Sequence, residues 1–127
     1  MSKLFRRLAL ALAVTAAVAG PAFAQAFDVV GTYIVRGKNP GEDGTYGAEV
    51  KVSLVGEVYQ LEWKAGGQTA VGVGLRLGDT LSVTWQDQAT KEAAVAAFIV
   101  MPDGSLKGRW APVGSEAAGS EDWIRKP

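Results

Sequence analysis

From Tyr46 to Leu54 apolar and polar residues trade places one by one. Tyr46, Ala48, Val50, Val52 and Leu54 share one parity, while Gly47, Glu49, Lys51 and Ser53 share the other. A strand turns successive side chains to opposite faces, so this is the pattern of a sheet with one buried face. The same pattern returns after each short Gly-bearing turn, and that repetition constrains the fold more than anything else in the chain. Val55-Gly56-Glu57 leads into Tyr59, Leu61 and Trp63, alternating with Gln60, Glu62 and Lys64, and Ala65-Gly66-Gly67 turns the chain again. In the next segment Thr69, Val71, Val73, Leu75 and Leu77 form the expected inner set, with Ala70, Gly72, Gly74 and Arg76 outside. After Gly78-Asp79 come Leu81, Val83 and Trp85 against Ser82, Thr84 and Gln86. After Pro102-Asp103-Gly104 come Leu106, Gly108 and Trp110 against Lys107 and Arg109. The first strand is expected from Val29 to Arg36 and the last from Gly119 to Arg125.

One segment reads two ways. Ala89 to Phe98 is Ala-rich and Thr90 is placed like a helix N-cap, so a short helix satisfies local propensity. A strand from Ala93 to Met101 is preferred, because a helix would interrupt the meander and Phe98, Ile99 and Val100 are strand formers. With that strand the chain holds eight, and no stretch is long enough for a crossover helix, so neighbours run antiparallel. The expected fold class is all-β: an eight-stranded antiparallel up-and-down meander closing into a small barrel, which removes both exposed edges. A curled open sheet or a sandwich is the fallback.

Ahead of the meander, residues 1–24 read as a signal peptide. Lys3, Arg6 and Arg7 supply the positive start, Leu8 to Val18 the apolar stretch, Gly20-Pro21 the break and Ala22-Phe23-Ala24 the cleavage site. The apolar stretch is about 11 residues long where a spanning helix needs about 20, and no Cys follows it for a lipid anchor. The expected product is a single domain, residues 25–127, without a membrane anchor and exported to the periplasm or the extracellular space. It carries ten basic and 13 acidic residues, a mildly acidic balance that argues against a nucleic-acid surface.

The chain has no His and no Cys. His-dependent acid–base catalysis, Ser-His-Asp and Cys-His nucleophiles, and the usual zinc, copper and haem ligands are therefore excluded. A protein without catalytic machinery, metal or cofactor is expected, stabilised by packing and backbone pairing alone.

The run Gly31-Thr32-Tyr33-Ile34-Val35-Arg36-Gly37-Lys38-Asn39-Pro40-Gly41, followed by Gly44-Thr45-Tyr46-Gly47, forms a recognisable pattern. To it belong Tyr59 with Trp63, Gly72 and Gly74, and Asp103-Gly104-Ser105-Leu106-Lys107-Gly108-Arg109-Trp110. Across residues 29–123 the chain resembles small exported bacterial proteins, common in alphaproteobacteria, that are often labelled fibronectin-binding protein. The resemblance implies a β-barrel and binding of a host matrix protein. A weaker likeness, in Gly31-Thr32-Tyr33 and Thr80-Leu81-Ser82-Val83-Thr84-Trp85, is to the avidin and lipocalin barrels. The long connection from Arg36 to Tyr46 stands where the avidin pattern has polar ligand-binding residues, so no biotin site is implied.

Two candidate sites follow. The four tryptophans sit late in their expected strands, and aromatics near a barrel mouth either line a pocket or fill the core. Trp63, Trp85 and Trp110 end odd-numbered strands and are expected to share one rim, with Tyr33 and Tyr59 added to the pocket; Trp123 is expected at the other mouth. This pocket would take a small apolar ligand. The long loop offers Lys38, Asn39, Glu42 and Asp43 as a lip for a protein partner, although such residues are also plain turn formers. Glu121 and Asp122, adjacent on one strand, are expected on opposite faces and so make no catalytic pair. Outward positions read as polar, which favours a monomer.

Overall fold

Gly56, Gly66, Gly78 and Gly104 all adopt positive φ, the left-handed backbone that tight turns between antiparallel strands require. Each returns the chain along the strand it has just left. The computed structural model describes residues 27–127, so the expected signal peptide lies outside the described residues. Eight strands follow in order: β1 (Gly31–Lys38), β2 (Tyr46–Val55), β3 (Val58–Ala65), β4 (Gln68–Leu77), β5 (Thr80–Asp87), β6 (Ala93–Val100), β7 (Leu106–Pro112) and β8 (Gly119–Arg125). All neighbours are antiparallel, β1 pairs with β8, and the sheet is a closed barrel. Every strand therefore has two partners and no edge is free.

The ambiguous segment is strand. The Asp87 carboxylate accepts the Ala89 and Thr90 amides at 2.8 and 2.9 Å, which folds residues 87–92 into a turn. β6 then buries Ala94, Ala96, Phe98 and Val100, and its backbone is satisfied by pairing with β5 and β7 rather than by a helix.

The expected parity of β4 is corrected. Val71, Val73, Leu75 and Leu77 point outward, Leu77 being 85% exposed, whereas Ala70 and Gly74 are buried. The reason lies in the diameter of an eight-stranded barrel, whose interior is just wide enough for side chains to fill. Large inward rings need small partners across the strand. Cross-strand pairing places Gly37 opposite Tyr46, Gly72 opposite Trp85, Gly108 opposite Phe98 and Gly119 opposite Trp110. A Cβ on Gly72 would lie 2.9 Å from the Trp63 ring and 3.0 Å from Trp85 Cβ, and one on Gly108 only 2.3 Å from Phe98. β4 gives the inward positions 70, 72 and 74 to Ala and Gly, with Arg76 following at the closed end, so its apolar side chains face out. Leu54, expected inside, is 48% exposed at the β2–β3 turn.

Reversing β4 also changes the outer surface. Its outward Val and Leu residues adjoin Thr80, Ser82, Thr84 and Gln86 of β5, and then Ala93, Val95, Ala97 and Ile99 of β6. This face carries no charged side chain, whereas β2, β3 and β7 present Glu49, Lys51, Glu62, Lys64, Lys107 and Arg109. The polar outer surface behind the monomer expectation therefore holds on β5 but gives way to apolar side chains on β4 and β6.

β1 starts two residues later than expected because residues 27–30 close one end of the barrel instead of extending the sheet. Val29 is fully buried and accepts a hydrogen bond from the Tyr33 hydroxyl at 2.8 Å. Arg125 donates to the carbonyls of Val30, at 3.0 Å, and Asp28, while Arg76 donates to that of Phe27. The Arg125 guanidinium also stands 5.0 Å from the centre of the Tyr33 ring.

Candidate functional site

The opposite mouth is formed where odd strands end and even strands begin. Tyr46 opens β2, Trp63 and Trp85 come late in β3 and β5, and Trp110 comes late in β7. Each has an inward parity, so their rings converge. Trp63 and Trp85 have centroids 5.6 Å apart, Trp85 and Trp110 5.3 Å, and Tyr46 and Trp110 6.4 Å. Together they wall a recess of about 290 Å³ that also admits Asn39, Gln68, Thr69, Asp87 and Glu121. Trp85 is the most exposed of the four tryptophans; Trp63 and Trp110 are nearly buried.

Glu121 is the residue that sequence reasoning passed over. It shares its parity with Trp123, so β8 turns both inward, and only 5% of it is exposed. The Tyr46 hydroxyl donates to one carboxylate oxygen and the Trp123 indole to the other at 2.9 Å. Burial pushes the Glu121 carboxyl above the usual carboxylate range, opposed by the Tyr46 and Trp123 donors and by the Trp63 indole beside it. Burial, reinforced by the Glu121 charge, drives the Tyr46 phenol strongly upward. At the lip, the Thr90 and Ala89 amides hold Asp87 below the carboxylate range.

The Trp110 indole nitrogen is buried with no hydrogen-bond partner. It favours the Tyr46 phenolate electrostatically, but the geometry of a hydrogen bond is not met. A polar atom so placed is ordinarily satisfied by water or by something bound.

The expected trio of Trp63, Trp85 and Trp110 is brought together at one rim. Trp123 is not at the other mouth: it is fully buried in the barrel interior, 6.0 Å from Trp63, 5.5 Å from Tyr33 and 4.3 Å from Phe98. Tyr33 and Tyr59 are not at the recess. They stand early in odd strands and so lie toward the closed end, with Tyr33 tied to Val29 and Tyr59 paired with Leu54 and Gly74. Of the loop residues, Lys38, Glu42 and Asp43 are exposed and only Asn39 reaches the recess, its side-chain amide donating to Glu42 at 3.2 Å.

A broader depression of about 620 Å³ crosses the outer surface of β2–β5. It backs onto the sheet and is lined chiefly by outward side chains such as Lys51, Gln60 and Thr84. The mouth, with its converging rings and buried carboxylate, has the features of a binding site. Among the described residues no three Asp or Glu gather closely enough to hold a metal ion. No family model and no curated protein matches the chain.

Proposed function

We propose that this protein is a non-enzymatic binding protein that takes a small ligand, noncovalently, in the open mouth of its barrel, after export under the direction of residues 1–24. One observation carries the reading: one end of the barrel is closed by residues 27–30, while the other keeps a recess walled by Trp63, Trp85 and Trp110 over a buried carboxylate. A filled barrel needs no such opening. The volume lies near the lower limit of small-molecule pockets, about 300 Å³, which restricts the occupant to a small molecule. Native mass spectrometry of protein gently recovered from cells tests this, together with titration of its tryptophan fluorescence by small aromatic and aliphatic probes. A captured mass, or saturable quenching lost in Trp85→Ala, supports the reading. A bare mass with no response to any probe overturns it.

A second reading, binding of a protein partner, is favoured by the uncharged outer face of β4–β6 and the projecting loop from Lys38 to Asp43. Adhesion of the kind the resemblance implies cannot proceed by strand addition, because the barrel has no free edge. The label is discarded if immobilised fibronectin retains none of the protein at micromolar concentration.

A further inference from the structure

We infer that the ligand of the open mouth is a small organic cation, a substituted ammonium that rests against the tryptophan wall and is balanced by Glu121. The inference deepens the small-ligand reading and rests on it.

The sign of the charge follows from the lining. Its two ionisable acids are Asp87 and Glu121, and no Lys or Arg contributes to it. The basic residues on nearby strands and loops, Lys38, Lys64, Lys91 and Arg109, are all exposed. An anion entering here would face a buried carboxylate with no compensating base, in surroundings that screen charge poorly. A neutral apolar ligand would strip remaining water from Glu121 and give nothing in return. A cation does the reverse, and the rings add to the effect because an aromatic face is the negative part of its quadrupole. Trp63, Trp85 and Trp110 touch one another in series at interplanar angles of 34° and 61°, so faces and edges together make one aromatic wall rather than isolated contacts.

Glu121 is also held for this use. Each carboxylate oxygen accepts one donor, from Tyr46 or from Trp123, which fixes its orientation and leaves lone-pair capacity unfilled.

The test compares choline with the neutral alcohol in which a tert-butyl group replaces the trimethylammonium, and with tetramethylammonium, the same cationic head without the hydroxyethyl arm. Calorimetry and tryptophan fluorescence are read on the protein as produced. Choline and tetramethylammonium are each expected to bind about tenfold or more tighter than the alcohol, the scale of a desolvated cation–π contact with a counter-charge. Glu121→Gln, its fold checked by circular dichroism, is expected to weaken choline and leave the alcohol unchanged. The wild-type comparison stands even where that variant does not fold. Alcohol binding as tightly as choline would overturn the cation and leave the pocket intact. Failure of all three probes at millimolar concentration, while aromatic probes still quench the tryptophans, also overturns the cation alone. Silence from every probe overturns the pocket as well.

Discussion

At the closed end of the barrel, backbone does the sealing: the carbonyls of Phe27, Asp28, Val29 and Val30 receive bonds from Arg76, Arg125 and Tyr33. At the open end side chains form the boundary, and the buried polar groups there include one with no partner. The difference separates two uses of polar groups within one sheet. At the first end, donors and acceptors are matched, so the contacts serve stability. At the second, a carboxylate at the recess and a buried indole N–H without a partner sit among aromatic rings, an arrangement costly for folding alone.

The largest expected effect comes from the residue that joins the two ends. Trp123 packs on Tyr33 and Phe98 below and Trp63 above, and donates to Glu121. Trp123→Ala is expected to cost about 3–5 kcal/mol in urea denaturation. A loss under about 1 kcal/mol would show that the ends are energetically separate, against ordinary core-truncation costs.

Next is the closed end itself. Arg125→Ala removes charge-assisted bonds to two carbonyls and is expected to cost about 1–3 kcal/mol. The same change should expose Phe27–Val30 to limited proteolysis and leave probe binding at the mouth unaltered. Lys126→Ala, which breaks an exposed pair with Glu49 at 3.1 Å, is the control, with an effect under about 1 kcal/mol. Equal effects from the two variants would remove the special role of Arg125.

The smallest effect is a pH dependence at the open end. Burial raises the folded pKa of Glu121 above its unfolded value of 4.5. Its contribution is therefore fully present below that value and is lost as pH rises through the folded pKa. Relative to Glu121→Gln, the wild type should gain stability as pH falls from neutrality toward 4.5. A difference that runs the other way would mean that the Tyr46 and Trp123 donors outweigh burial.

Much of the architecture was legible because turns and alternation are local properties. The glycines at hairpin tips, the parity of β2, β3, β5 and β7, and the limits of β8 could all be read from neighbouring residues. β4 could not, because its inward set is chosen by rings on other strands: Gly72 yields to Trp63 and Trp85, and alternation alone cannot tell small-inside from apolar-inside. The rim trio was legible from strand direction. The same rule assigns Tyr33 and Tyr59 to the far end, since they begin odd strands. Glu121 was hidden by the ordinary expectation that carboxylates seek water, although Trp123 two residues on had already settled its face.

The pairing of β1 with β8 has a consequence in time as well as in space. The bond from Arg125 to Val30 spans 95 residues of chain, so the seal is made by the last strand upon the first described residues. Such non-local closure slows folding, and until it happens both terminal strands present unpaired edges to any neighbouring chain. β8 is thus a clasp: a chain cut short of it would hold hairpins but neither a bottom nor Glu121, and would be at greatest risk of joining other copies edge to edge.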